Sequence, residues 1–163
     1  ALMIGSGNAG AGEMARAHPA LTDAQTGLAN GLHFDLVYNY LFNAGDRGLP
    51  FTVMLVSAGA DEHTPPDTIR DIGQAIEGTS RQADLVSHMG AGRYVVLLLG
   101  TNLQGGRIAA DRIEAALQGS APGDICFGLA AFSPDYKNAQ ALMRAADMAL
   151  LAAEASGGGA EFA

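Results

Sequence analysis

A cation and a carboxylate stand three residues apart in this sequence, at Arg81 and Asp84. A guanidinium can donate two hydrogen bonds to the O6 and N7 edge of a guanine, bind a phosphate, or stack on a base. A carboxylate can accept hydrogen bonds from the N1–H and 2-amino groups of the same base. The pair has the chemistry of a guanine- or phosphate-binding site, but so short a pattern also arises by chance. The alternative interpretation is a surface salt bridge worth at most about 1 kcal/mol.

Other residues with catalytic or metal-binding chemistry form weaker patterns. The adjacent acids Asp61 and Glu62 favour a solvated loop over a Mg²⁺ site, because they lack a converging third ligand. The histidines and Cys126 have no metal-ligand spacing, so we expect solvated or core side chains. The histidines are His18, His33, His63 and His88. No Ser or Cys has a recognisable base partner, so the sequence predicts no nucleophilic site. It also predicts no metal and no cofactor.

A predicted β-hairpin directly follows the Arg81 and Asp84 pair. Residues 84–89 and 94–99 are both strand-like. Between them, Gly90 and Gly92 can adopt the positive φ angles of a tight turn at little steric cost. The second arm is continuously apolar, which is typical of a strand buried on both faces at the centre of a sheet.

Six further segments are predicted helices and strands. Apolar residues at helical spacing predict helices over residues 31–43, 65–80, 102–118 and 139–155. Asn30 is placed to cap the first of these helices, and the run Ala44-Gly45-Asp46 ends it. Largely apolar runs predict buried strands over residues 51–56 and 125–132.

Length, charge and cysteine usage restrict the class of protein. The 163 residues suffice for one domain, and such a domain buries roughly 70% of its unfolded surface. The net charge of −8 argues against a nucleic-acid or anionic-membrane binder, because no basic excess exists to neutralise phosphates. No apolar run approaches the roughly 18 residues of a membrane span. The single Cys126 lies in an apolar run, which predicts a buried thiol in a reducing, cytoplasmic compartment.

Four motifs, which stand along the chain in the same order as in that family, resemble the GGDEF family of diguanylate cyclase domains. Residues 23–31 resemble Asp-x-Leu-Thr-Gly-Leu-x-Asn-Arg, residues 126–130 resemble Ser-Ile-Gly-Val-Ala, and residues 144–150 resemble Arg-Ala-Asp-x-Ala-Leu. The fourth motif is the hairpin turn, where the family has Gly-Gly-Asp/Glu-Glu-Phe. Here the turn consists of Gly90, Ala91, Gly92, Arg93 and Tyr94.

The resemblance implies an α+β fold, the palm of nucleotide cyclases, with a central, mostly antiparallel sheet flanked by helices. It implies a degenerate GGDEF-like domain over residues 18–158, followed by a tail over residues 159–163. Residues 1–17 contain a lone G-x-G-x-x-G run, but no parallel βαβ pattern follows it. We interpret them as a linker or flexible N-terminal segment.

The resemblance also implies that the cyclase chemistry is lost. The family joins two GTP molecules with the help of metal ions, which positioned acids hold. The positions of those acids carry Ser57 and Gly92 or Arg93. A phosphate-binding Lys near the end of the last helix is replaced by Glu154, which would repel a triphosphate. Only Asp67 matches a nucleobase-binding acid, so we expect the domain not to be an enzyme.

In many family members an Arg-x-x-Asp motif, five residues before the turn, binds the product cyclic di-GMP as an inhibitor. Arg81 and Asp84 stand at that distance, and Arg112 stands at the offset of a further family arginine. The resemblance therefore implies a bacterial signalling effector that binds cyclic di-GMP through Arg81, Asp84 and Arg112. The alternative is a pseudoenzyme scaffold that binds no nucleotide. The expected partners include another protein or an upstream regulatory domain, and a homodimer is left open.

Overall fold

The computed structural model describes residues 19–45, 47 and 50–163. The predicted linker over residues 1–17, together with His18 and Asp46, lies outside the described residues. After a short 3₁₀ helix (Pro19–Leu21), the described α-helices are α1 (Gly31–Asn43), α2 (Pro66–Thr79), α3 (Leu103–Leu117) and α4 (Ala139–Ala155). The strands are β1 (Phe51–Ser57), β2 (Leu85–Gly90), β3 (Arg93–Leu99), β4 (Cys126–Ala131) and β5 (Gly159–Phe162).

The five strands form one sheet in the order β2-β3-β1-β4-β5. Every pair is antiparallel except β4 with β5, which is parallel. Side chains alternate across the strands, so Val53 and Leu55 face α1 and α4, whereas Met54 and Val56 face α2 and α3. This arrangement confirms the predicted α+β fold, with its mostly antiparallel sheet between two helical layers.

Asparagine side chains cap the start of three of the four described α-helices. The Oδ1 atoms of Asn30, Asn102 and Asn138 each accept the backbone N–H three residues ahead, at 3.0, 2.9 and 2.8 Å. Each bond satisfies one N–H that the first helical turn leaves without a partner. The predicted cap at Asn30 is confirmed, and all four predicted helices end within one residue of their expected bounds.

The predicted hairpin consists of β2, a tight turn and β3. Gly90, Ala91 and Gly92 have φ angles of 91°, 53° and 72°. A Cβ atom on Gly92 would lie only 2.5 Å from the Cβ atom of Ala60, so space as well as φ requires glycine there. Residues 94–98 of β3 are buried on both faces, as predicted, although the strand at the centre of the sheet is β1 rather than β3.

Strand β5 is an addition that the sequence did not predict. Residues 159–163 were expected to be a tail, but Gly159–Phe162 pairs with β4 from Cys126 to Leu129. The guanidinium of Arg107 lies 4.7 Å above the ring of Phe162, a cation–π contact that ties the strand to α3. A four-residue segment is too short to show the apolar alternation that predicts a strand. Gly159–Phe162 is therefore recognisable as a strand only by its pairing with β4.

Within the described chain, no helix combines the length and apolar character that crossing a membrane requires. Cys126 is a buried free thiol, as predicted, and burial raises its pKa.

Candidate functional site

Arg81, Asp84 and Arg112 line one cleft of about 430 Å³. The cleft lies between the end of α2, the loop after β3 and the first turns of α3, with Thr101 on its wall. We call it the arginine cleft and define it by Arg81, Asp84, Thr101 and Arg112. All three residues predicted from the sequence to bind ligand are therefore brought together.

Asp84 is the buried anchor of the arginine cleft, with a side chain only 3% exposed. Its Oδ1 atom accepts the backbone N–H of Leu99 at 3.1 Å and Nη2 of Arg81 at 3.2 Å. Its Oδ2 atom accepts the backbone N–H and Nε of Arg81 at 3.3 and 3.4 Å. In this geometry Asp84 orients Arg81, and its carboxylate would be available to a guanine only after Arg81 moved away.

Arg81 uses one side of its guanidinium for these internal contacts. Its Nη2 atom donates to the carbonyl oxygen of Leu99 at 2.6 Å and to Oγ1 of Thr101 at 2.8 Å, besides Asp84. Its side chain is still 56% exposed. Nη1 has no hydrogen bond to any described residue, so this edge and the face of the guanidinium are open to a ligand.

Thr101 is a site residue that the sequence analysis did not identify. Its hydroxyl accepts from Arg81 and donates to the carbonyl oxygen of Leu99 at 2.9 Å. The residue lies between the end of β3 and the Asn102 cap of α3, and no motif marks it. Its position just before a capping asparagine was the one available signal.

Arg112 is exposed on α3 and forms no ion pair with any described residue. The local pairing with Asp111 or Glu114 that would make it a plain surface cation is not formed. The cleft therefore presents two cations and one buried carboxylate. This balance favours an anionic ligand that also has flat rings or hydrogen-bond acceptors.

Three substituted family positions meet at a second place, around Glu154 on the last turn of α4. One lies on the signature turn, one at the end of β1 and one on α4 itself. Oε2 of Glu154 accepts the hydroxyl of Ser57 at 2.8 Å, and Nη2 of Arg93 lies 3.1 Å from both carboxylate oxygens. Ser57 and Arg93 are direct partners in the β1–β3 register. We call Ser57, Arg93 and Glu154 the Glu154 cluster.

The acids near the hairpin do not fit a metal ion. No group of three or more His, Cys, Asp or Glu side chains converges within the described chain. Asp61 instead accepts the backbone N–H of His63 at 2.8 Å in a solvent-exposed loop, as predicted. Asp67 lies on the exposed first turn of α2 and pairs with Arg70 at 3.0 Å. Among the described residues, these acids therefore offer no set of ligands for the Mg²⁺ ions that the family uses.

Comparison with known proteins agrees with this fold. The family model described as "Diguanylate cyclase, GGDEF domain" matches residues 66–160. No curated protein matches the sequence. Among solved structures, the chain is similar to the diguanylate cyclase SiaD of Pseudomonas aeruginosa in complex with its activator SiaC, with a TM-score of 0.77 and 18% identity. The match covers 88% of this chain and spans only 62% of SiaD.

Two isolated domains are similar over nearly their whole length. The first is the GGDEF domain of YfiN from Pseudomonas aeruginosa, at 23% identity and a TM-score of 0.72, covering 83% of this chain and 96% of that domain. The second is the GGDEF domain of DgcB from Caulobacter crescentus in complex with c-di-GMP, at 18% identity and a TM-score of 0.72. It covers 88% of this chain and 94% of that one. At these identities the likeness shows a shared fold.

Proposed function

This chain belongs to the GGDEF family, and on that premise we propose that it is a catalytically inactive member that binds cyclic di-GMP in the arginine cleft. The observation that carries the proposal is the convergence of Arg81, Asp84 and Arg112 on one cleft. Arg81 precedes the hairpin and Arg112 lies on the helix after it, so only the tertiary fold brings the two cations together.

The chemistry of the cleft matches this ligand. Cyclic di-GMP has two phosphates and two guanines, which need cations, hydrogen-bond donors and flat surfaces. Arg112, which pairs with no described residue, supplies a cation, and the outer edge of Arg81 supplies donors and a face on which a base can stack. Asp84 and Thr101 fix that face by holding the inner edge of the guanidinium. A fixed guanidinium loses less conformational entropy when it binds than a mobile one does.

The Glu154 cluster supports the loss of cyclase activity. The family positions that would hold metal-binding acids and a phosphate-binding cation carry Ser57, Arg93 and Glu154. Their polar groups are bonded to one another rather than pointing freely at a substrate. The Glu154 carboxylate would repel a triphosphate at this place. The triphosphate could enter only if the ion pair between Glu154 and Arg93 were broken.

Calorimetric titration of cyclic di-GMP into the chain tests the receptor function. We expect binding, with Arg112→Ala weakening it at least about tenfold, because charge-assisted hydrogen bonds are worth roughly 1.5–3 kcal/mol. Arg144→Ala is the matched control, since Arg144 is an exposed helical arginine that opens the other Arg-x-x-Asp run of the chain. If the Arg112 and Arg144 variants bound cyclic di-GMP with equal affinity, the arginine cleft would not be the binding site.

One observation favours the scaffold alternative, in which the domain binds no nucleotide. Asp84 and Nη2 of Arg81 are fully hydrogen-bonded within the chain without any ligand. In that case the Arg81 and Asp84 pair only ties β3 to the end of α2. Absence of heat with cyclic di-GMP at tens of micromolar, in protein whose fold is verified by circular dichroism, would select the scaffold.

A further inference from the structure

A second and larger cavity, of about 740 Å³, lies on the α1–α4 side of the sheet. Its walls come from α1, the end of β2 and the start of α4, including Phe34, Asp35, Met89 and Met143. We call it the α1 cavity. It shares no lining residue with the arginine cleft, and nothing in the proposed receptor function uses it.

The charge of the α1 cavity is opposite to that of the arginine cleft. Asp23 and Asp35 line it, and none of the described lining residues is Lys or Arg. The carboxylate of Asp23 already has partners within the chain, because its Oδ2 atom accepts hydrogen bonds from Thr26 and lies 3.2 Å from Nδ1 of His88. The carboxylate of Asp35 is exposed and has no hydrogen bond with any described residue. A cation entering the cavity would find this carboxylate free.

Aromatic rings form part of the cavity wall beside Asp35. The rings of Phe34 and Tyr38 are stacked, with centroids 5.3 Å apart. The hydroxyl of Tyr38 is already donated to the carbonyl oxygen of Ala139. An aromatic wall next to a free carboxylate suits a flat cation such as a guanidinium.

An exposed apolar stripe on α1 borders the same cavity. Leu32, Leu36 and Tyr40 follow one another at four-residue spacing and are 56%, 60% and 69% exposed. Leu32 lies one helical turn before Asp35, so the stripe and the cavity rim are neighbours on the helix surface. Met89 adds a half-exposed thioether at the cavity. A small amine inside the cavity would leave this apolar surface uncovered.

We infer that the α1 cavity and the α1 stripe together dock a basic, amphipathic segment of a partner protein. An arginine or lysine of that segment pairs with Asp35 inside the cavity, and its apolar side chains cover Leu32, Leu36 and Tyr40. Charge complementarity selects this partner: the chain carries a net charge of −8, so a second copy is repelled and a basic segment is attracted. Phosphate ligands are disfavoured by the same carboxylates.

Titration with benzamidine, a flat cation that mimics an arginine head group, tests the cavity. Methionine methyl resonances report the site, because Met89 and Met143 line the cavity whereas Met54 is in the core and Met148 is exposed on α4. We expect benzamidine to cause saturable shifts at Met89 and Met143 but not at Met54 or Met148, and we expect benzoate to cause no shift at these four methyls. Asp35→Asn should weaken binding about fivefold, whereas Asp71→Asn, which removes an exposed carboxylate from α2, should leave it unchanged.

A helical peptide of leucine and arginine, compared with one of leucine and glutamate, tests the docking surface. The arginine peptide should bind more tightly than benzamidine, and Leu36→Ser should weaken the peptide but not benzamidine. Equal losses for Asp35→Asn and Asp71→Asn would show diffuse charge attraction and overturn the inference. Benzamidine binding without a tighter peptide would mean a small-amine site and also overturn it, as would a peptide insensitive to Leu36→Ser. None of these readouts depends on cyclic di-GMP.

Discussion

Arg93 and Glu154 form an ion pair that joins the hairpin turn to the last turn of α4, with Nη2 of Arg93 3.1 Å from both carboxylate oxygens. The resemblance to the GGDEF family implies an acid on the turn and a cation near the end of the helix. In this chain the two positions have exchanged their charges. The substitutions therefore compensate each other, which explains how the turn can keep its place in the fold without its acids.

The first prediction concerns catalysis. Incubated with GTP and either Mg²⁺ or Mn²⁺, the domain should make no cyclic di-GMP, because Ser57, Gly92 and Arg93 supply no metal ligands. Chromatography of the reaction, with an active cyclase as positive control, measures this. Product above the level of a protein-free blank, from a preparation free of contaminating cyclases, would contradict the expected inactivity.

A double-mutant cycle tests the Arg93–Glu154 pair. Urea unfolding of Arg93→Ala, Glu154→Ala and the double variant should give a coupling energy of about 0.5–1 kcal/mol, because both side chains are partly exposed. The pair formed by Asp67 and Arg70 is the comparison. It lies within one helix turn and is more exposed, so its coupling should be at most about 0.5 kcal/mol. A coupling energy of zero for Arg93 and Glu154 would mean that the charge exchange adds nothing to stability.

Arg81 and Arg112 should separate into two kinds of cleft residue. Arg81→Ala leaves the carboxylate of Asp84 buried without its cation, so we expect a loss of about 1–3 kcal/mol in the free energy of unfolding. Arg112→Ala removes a cation with no described partner and should change stability by less than about 0.5 kcal/mol. Chemical denaturation measures both. Comparable small changes would show that Asp84 is hydrated rather than dependent on Arg81.

Alkaline pH should destabilise the fold. Burial raises the pKa of Tyr38 and of Tyr94, and the charge of Asp23 further raises that of Tyr94. Above the ordinary tyrosine pKa of about 10, the unfolded chain therefore releases protons that the folded chain retains, and the free energy of unfolding falls as pH rises. Urea unfolding at about pH 8 and about pH 10.5 measures the slope. Tyr94→Phe should reduce that slope, and an unchanged slope would assign the loss to other groups.

A close approach of β4 to α4 makes Gly128 irreplaceable. A Cβ atom there would lie 2.3 Å from the backbone N of Leu150 and 2.4 Å from the carbonyl oxygen of Ala146. Because backbone cannot yield as a side-chain end can, Gly128→Ala should cost about 3 kcal/mol. Gly78→Ala on α2, where a Cβ meets nothing within 4 Å, should instead stabilise by up to about 1 kcal/mol. Thermal unfolding of the two variants gives the comparison.

The elements of the fold were predictable because they follow local rules. Periodic apolar residues defined the helices, and the Asn30 cap defined the start of α1. The glycines around Ala91 defined the hairpin turn. β5 was missed, because its short segment has a conformation only in the presence of β4. The sequence of β1 could not show which helices cover which face, since all of its residues are buried and both faces therefore look alike.

The candidate site was predictable in its charges and not in its hydrogen bonds. The sequence identified Arg81, Asp84 and Arg112 as members of one site, and the fold brings them together. The sequence did not indicate that Asp84 accepts a hydrogen bond from the backbone N–H of Leu99. Nor did it indicate that the hydroxyl of Thr101 accepts one from the guanidinium of Arg81. These contacts depend on where β3 ends relative to the loop after α2, which is a tertiary relationship.

The parallel strand β5 also protects the molecule from a specific failure. The neighbouring strand β4 is apolar and almost entirely buried, and without β5 its backbone N–H and C=O groups would form an open, flat edge. Such edges invite pairing with the strands of other molecules and start aggregation. A shortened chain that stops before Gly159 would lose both that cover and the contact between Arg107 and Phe162. We expect such a chain to be poorly soluble because of its exposed sheet edge, whatever the arginine cleft and the α1 cavity bind.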